Sequence, residues 1–283
     1  MYPIPDSLLP KKAQLHISAL NMLNRCGTQF EFRYMKGVKR PPGVAMVVGT
    51  AVDTSVNANL NAKKDTGKLL PVAEVRQAAR DALDREWEGG ISFDPDEAAQ
   101  SQGIVKGEAV DKAIKLASLH STEVAPKIEP SHVQWQWTIE LKGFPMDLAG
   151  TVDVRESKVV TSIRDTKTSG KSPSSNVADV SDQLTAYAMA VKVIDGKAPE
   201  VLALDYLIAN KVPVAKTFTS KRDDDDFNVL LRRVENASRV MESGAFTPMP
   251  QTDPMCSQKY CGYYDLCIYA KKPKLFQIGA TSE

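Results

Sequence analysis

Asp153, Asp165 and Lys167 are the residues whose types and spacing could do chemistry together. They lie in Gly150-Thr151-Val152-Asp153 and Arg164-Asp165-Thr166-Lys167, on two consecutive stretches of strand-like pattern. As hairpin neighbours these strands would bring both carboxylates to one end of a sheet, and period-two alternation turns Lys167 to the face of Asp165. A hard divalent cation such as Mg²⁺ takes oxygen ligands and is commonly held by one or two carboxylates beside a substrate phosphate. Such an ion lowers the pKa of a water and neutralises phosphate charge, while Lys167 would orient the water or stabilise developing charge. The reaction class is phosphodiester hydrolysis. The spacing alone is equally met by two turn-flanking aspartates with Lys167 as a surface partner, worth about 0 to 1 kcal/mol, so the neighbours must decide.

Three strands are predicted to position this group: Val133 to Leu141, Met146 to Glu156 and Val159 to Asp165. Turn signals at Lys142-Gly143 and Glu156-Ser157-Lys158 separate them, which makes an antiparallel meander. Upstream the chain reads as helical. One helix runs from Ser18, as N-cap, to Tyr34, and Arg40-Pro41-Pro42-Gly43 breaks it. A second covers 45–62, with Asp53 near its middle and small Gly49, Ala51 and Ala58 permitting close approach; helical pattern continues over 72–88 and 95–122. Downstream come a loop from Ser169 to Ser175, a helix from Ala178 to Val193, a strand from Val201 to Ile208 and a helix over 222–242. The acidic run Asp223 to Asp226 suits the positive N-terminus of that last helix. The predicted fold class is α/β: a central mixed sheet with an antiparallel meander, flanked by helices, and a helical N-terminal half.

The 283 residues, 42% hydrophobic and 25% charged, suffice for a sizeable core and exclude disorder as the main state. No linker or repeat divides the sequence, so one domain over 1–283 is expected. Lys and Arg number 36 against 35 Asp and Glu, so any attraction for an anion must be local. No apolar run of membrane-spanning length or signal-peptide h-region occurs, and a cytoplasmic protein with no membrane partner is expected.

In such a compartment the four cysteines suit metal ligation or inert burial better than disulfides. Cys256, Cys261 and Cys267 fall in one short segment and Cys26 stands alone near the other end. Zinc, an iron-sulfur centre and unligated thiols are all compatible with that set. His16, His120 and His132 form no ligand pair and suit core or surface roles, and no phosphate-binding G-x(4)-G-K-[ST] loop is present. Trp135 and Trp137, two apart on one strand, suit sheet packing.

Taken in order, these motifs resemble the PD-(D/E)XK nuclease superfamily, in particular its RecB-like branch of CRISPR-associated and AddB-type exonucleases and phage nucleases. The resemblance runs through His16-Ile17-Ser18, Cys26, Phe30, Phe32, Tyr34 and Gly49-Thr50-Ala51-Val52. It resumes with Gly150 to Asp153, Asp165 to Lys167, Gln183 and Tyr187 as Q-x(3)-Y, and the three late cysteines. It implies Mg²⁺ or Mn²⁺ on Asp153, Asp165 and the Thr166 carbonyl, Lys167 as the catalytic lysine, and a 5′-phosphate product. Gln183 and Tyr187, which share a predicted helix face with Asp179, would line the site and touch DNA. Asp53 stands where the branch usually carries a metal-binding histidine, giving a harder ligand with a changed metal preference or reduced activity. Cys26, Cys256, Cys261 and Cys267 would hold a [4Fe-4S] cluster joining the chain's two ends, with Zn²⁺ as the rival; the four residues between Cys256 and Cys261 exceed the usual two.

The implied partner is DNA, single-stranded or at its ends. Arg33, Lys36, Lys39 and Arg40, with Lys167 and Lys171, would form a phosphate-binding rim or simply a solvated basic loop. The function expected is a metal-dependent exonuclease, with an endonuclease of the same fold or a catalytically silent binding subunit as alternatives. No sequence feature sets the oligomeric state.

Overall fold

The computed structural model describes residues 13–157 and 160–270. Six strands form one sheet: β1 (Ala13–His16), β2 (His132–Ile139), β3 (Met146–Glu156), β4 (Ser162–Ser169), β5 (Val201–Ile208) and β6 (Val214–Ser220). β3 pairs antiparallel with β2 and β4, so the expected meander is present. β1 joins β3 in parallel, β5 joins β4 in parallel, and β6 closes the far edge antiparallel to β5. The sheet is therefore mixed. Lys158 and Val159, at the predicted turn and the start of the third strand, lie outside the described residues.

Helices cover both faces. α1 (Ile17–Arg25), α7 (Asp182–Asp195) and α8 (Asp224–Ser243) pack on one, where Leu20, Leu148, Val152, Ile163, Leu184, Leu202 and Leu230 form a core. α3 (Val44–Thr66), α4 (Val72–Glu88) and α6 (Gln102–Leu119) build the other core with Val154 and Leu207. α3 earns this place by its pattern, since Val44, Val47, Val48, Ala51, Val52, Val56 and Leu60 recur at helical spacing and are all buried.

Several predicted boundaries shift for local reasons. The helix expected from Ser18 to Tyr34 begins at Ile17 without a side-chain cap and breaks at the extended Cys26. It resumes as α2 (Gly27–Phe30) and a π-helical turn, Glu31–Met35. Gly27 is needed there because a Cβ would lie 2.7 Å from the Thr247 backbone nitrogen. The helix expected over 95–122 divides because Asp94 and Glu97 form a capping box on the short α5 (Pro95–Ala98) before α6 starts at Gln102. α7 starts at Asp182, not Ala178, with Ser181 as N-cap. α8 begins at Asp224 because the Asp223 carboxylate accepts from the backbone N–H groups of Asp225 and Asp226. β1 and β6 were not anticipated: β1 has four residues, and β6 exposes most of its side chains at the sheet edge, leaving little apolar alternation to read.

Candidate active site

β3 and β4 pair through Val154↔Arg164, Arg155↔Ile163 and Glu156↔Ser162. Next to Val154 that ladder stops, and the Thr166 backbone N–H donates instead to Asp153 Oδ2 at 2.9 Å. The charged residues meet at this parting. Asp165, 1% exposed, faces it from β4, and its Oδ2 forms an ion pair with Lys167 Nζ at 2.6 Å. The predicted strand ended at Asp165, whereas β4 continues to Ser169, so pairing with Tyr206 of β5 holds Lys167 in place.

The helical layers close on the gap from both sides. α3 brings Asp53, half-buried, and its Gly49 faces Thr168 of β4, where an added Cβ would sit 3.4 Å from Thr168 Oγ1, within ordinary contact distance. Ala58, predicted with Gly49 to permit close approach, faces solvent. From α7, the Tyr187 hydroxyl donates to the Thr151 carbonyl at 2.6 Å and lies 3.4 Å from Asp165 Oδ1. Gln183 Nε2 donates to that hydroxyl at 2.5 Å. Asp179 does not share their helix face; it lies in the turns before α7 and accepts from the Ser220 hydroxyl. The Tyr187 ring is buried edge-on against Trp137, with centroids 6.2 Å apart, so this tyrosine braces the site from below and offers no face for a base.

Burial raises the pKa of all three carboxyl groups. For Asp153, pushed well above the usual carboxylate range, Asp165 and Asp53 add to burial while the Thr166 N–H and Lys167 oppose it. Burial lifts Asp165 against the pull of Lys167 and Tyr187, and lifts Asp53 against its hydrogen bond from Asn57. Burial works against charge on Lys167 too, but Asp165 and Asp153 outweigh it and raise the amine above an ordinary lysine. Lys167 is thus a cation at neutral pH. Three crowded carboxyl groups beside one ammonium resist ionising together, a repulsion that a divalent cation would relieve, and their hard oxygens suit Mg²⁺ or Mn²⁺. Among the described residues no three His, Cys, Asp or Glu side chains converge tightly enough to grip an ion as they stand, so the fit rests on the donor chemistry of the three carboxyl groups.

Two residues that the sequence reading passed over complete this group. Gln134 Nε2 lies 3.4 Å from Asp153 Oδ1 and 3.3 Å from Asn57 Oδ1, and Asn57 Nδ2 donates to Asp53 Oδ2 at 2.9 Å. Gln134 has φ of 54°, the one positive value at a non-glycine among the described residues. A strained backbone of this kind costs about 1–3 kcal/mol. Asn57 lies one helical turn after Asp53, a spacing shared by any polar residue on that helix face.

The PD-(D/E)XK nuclease superfamily profile matches residues 14–268. The chain belongs to this superfamily. Among solved structures it is similar to a Eubacterium rectale protein named "Putative exonuclease", at 13% identity over 99% of this chain and 97% of that one, with a TM-score of 0.53. SSO0001 is also similar, at 12% identity over 93% and 90% of the two chains, with a TM-score of 0.42. The first of these likenesses supports the fold. Comparison with curated proteins gives no match.

In this PD-(D/E)XK chain Cys26, Cys256, Cys261 and Cys267 all line one cavity, although they start from opposite ends of the sequence. Burial raises the thiol pKa of Cys256 and Cys261, and each is raised further by neighbouring thiols including Cys26. Phe32 stacks on Tyr263 with centroids 5.6 Å apart, and the Tyr263 hydroxyl donates to the Val38 carbonyl at 3.0 Å. The segment carrying Arg33, Lys36, Lys39 and Arg40 is thereby packed against the cysteine segment. Lys36 is paired with Glu31 at 2.9 Å. Trp137 packs over Gly150 and Trp135 stacks on the Arg155 guanidinium, so both serve the sheet as expected. His120 is buried, while His16 and His132 are exposed. No helix among the described residues is long and apolar enough to cross a membrane.

Proposed function

We propose that this chain is a cytoplasmic, single-domain DNA exonuclease that hydrolyses phosphodiester bonds with Mg²⁺ or Mn²⁺. The observation that carries this reading is the meeting of Asp53, Asp153, Asp165 and Lys167 where β3 and β4 part. Asp53, Asp153, Asp165 and the Thr166 carbonyl are the residues that would hold the cation. When bound, the ion supplies Lewis-acid stabilisation of phosphate charge and eases ionisation of a water.

The chain's own groups do the rest. Lys167, kept protonated by its carboxylate neighbours, orients the attacking water and stabilises charge developing on the phosphate oxygens. Water adds to phosphorus as the P–O3′ bond breaks; the 3′ oxygen takes up a proton, the water's proton passes to solvent, and a 5′-phosphate remains. Gln183 and Tyr187 hold the Thr151 and Asp165 positions from beneath.

A single strand suits the surface beside the site. Lys167 pairs across to Tyr206 and Tyr206 to Lys216, so the three form one cross-strand row from the gap to the sheet edge. Tyr206 meets Phe218 edge to face with centroids 5.8 Å apart, and the parts of these half-buried rings that the core leaves uncovered would contact bases beside Lys167. For the cavity lined by Cys26, Cys256, Cys261 and Cys267 the reading we propose is a [4Fe-4S] cluster joining the two ends of the chain. Zn²⁺ on the same four thiols is the rival reading, since both centres accept four cysteines. Iron, zinc and acid-labile sulfide analysis of anaerobically prepared protein separates the two.

The decisive experiment is a time course on end-labelled linear and circular DNA, single- and double-stranded, with Mg²⁺, Mn²⁺ or EDTA, beside Lys167→Ala. Metal-dependent loss of linear DNA alone, absent in the variant, is expected. Cutting of circles would make the chain an endonuclease. No cleavage by folded protein, regained in Asp53→His, would make it a silent binding subunit.

A further inference from the structure

The pairing of β2 with β3 passes from Val133↔Val154 to Trp135↔Val152 and leaves Gln134, opposite Asp153, outside the ladder. The faces of both strands exchange there. Val133 and Val154 pack toward α3 and α6, whereas Trp135 and Val152 pack toward α1 and α7. On a regular strand residues two apart share a face. The left-handed Gln134 accompanies this exchange and turns its amide toward Asp153 and Asn57. A glycine would meet the backbone requirement without strain, so a glutamine at this φ points to its side chain.

We infer that Gln134 and Asn57 are positioning residues that lock the Asp53 and Asp153 carboxylates in a fixed relation across the gap between α3 and β3, ready for the cation. The inference rests on the nuclease reading above. The chain of contacts runs Asp53 Oδ2, Asn57, Gln134, Asp153 Oδ1, at 2.9, 3.3 and 3.4 Å in turn. Neutral amides suit the role: they donate to carboxylates and fix their rotamers without adding the positive charge that would repel a divalent ion. Partners of this kind behind a metal ligand typically govern affinity by about 10- to 100-fold.

Gln134→Gly separates the two functions of this residue, because it keeps the backbone conformation and deletes the amide. Mn²⁺ affinity is read by electron paramagnetic resonance titration without DNA, beside Asn57→Ala, Asp165→Ala and thermal unfolding in EDTA. Gln134→Gly is expected to keep or raise Tm in EDTA yet bind Mn²⁺ about 10-fold or more weakly, with Asn57→Ala weakened similarly. A purely structural glutamine would instead lower Tm and leave affinity unchanged, which overturns the inference. Wild-type affinity in both variants, with binding lost in Asp165→Ala, overturns it while sparing the nuclease reading. No Mn²⁺ binding by wild type overturns both.

Discussion

The Thr166 backbone N–H donates to Asp153 Oδ2 at 2.9 Å across the point where β3 and β4 stop pairing. One side chain thereby takes the place of a ladder bond, and the strands are held apart without leaving that N–H unsatisfied. Asp153 accepts this bond in a buried setting that opposes its charge and beside two further carboxylates.

Asp153→Asn removes one of three mutually repelling carboxylates and keeps an acceptor for the Thr166 N–H. In EDTA its Tm is expected to equal or exceed that of wild type, while Mn²⁺-dependent cleavage falls by about 10²-fold or more. Differential scanning calorimetry and a single-turnover assay check the two halves.

Lys167 has a pKa raised by Asp165 and Asp153, so its charge persists to alkaline pH. Lys167→Ala is expected to lower kcat by about 10²- to 10³-fold, the usual range for one preorganised charge-stabilising donor. Wild-type activity should show no loss attributable to this lysine as pH rises from 7 to about 10, which a pH–rate profile tests.

His120 is 1% exposed, and neither ring nitrogen has a hydrogen-bond partner. Burial, opposed by Asp205 and aided by Arg164, pushes its pKa down from 6.5 to about 4. The folded pKa is the depressed one, so the unfolded chain takes the proton first as pH falls. Stability contributed by the neutral ring is present above pH 6.5 and is lost progressively down to about pH 4. The loss amounts to at most about 3 kcal/mol. Urea unfolding at pH 7 and 4.5 should show His120→Leu less sensitive to acid than wild type by a large part of that amount.

Gly150 lies under the Trp137 indole, where an added Cβ would come within 2.7 Å of Cζ2. Gly150→Ala must displace that ring, which also touches Tyr187. A loss of about 1–3 kcal/mol is expected, seen as a lower urea midpoint, with a smaller loss in Gly150→Ala/Trp137→Phe, where the indole is removed.

Much of this arrangement was legible because it is local. The alternation and turn signals around 133–156 are properties of adjacent residues, and β2 and β3 follow them closely. Asp165 and Lys167 share a face by strand period alone. Asn57 sits one turn after Asp53, but nothing local marked it as more than a polar helix residue. Gln134 was invisible because left-handed backbone is normally announced by glycine or asparagine, and here the neighbours impose it on a glutamine.

The sequence by itself determined the chemistry on offer, carboxylates with a lysine at strand spacing and four thiols at two ends of the chain, because residue type and short-range period suffice for that. Only the tertiary structure decided that Asp53 of α3 reaches Asp153 through Asn57 and Gln134, and that Cys26 lines the same cavity as Cys256, Cys261 and Cys267. Those meetings depend on where β3 parts from β4 and on how helices seat on each face of the sheet. Both are set by the packing of two whole cores, which no local window contains.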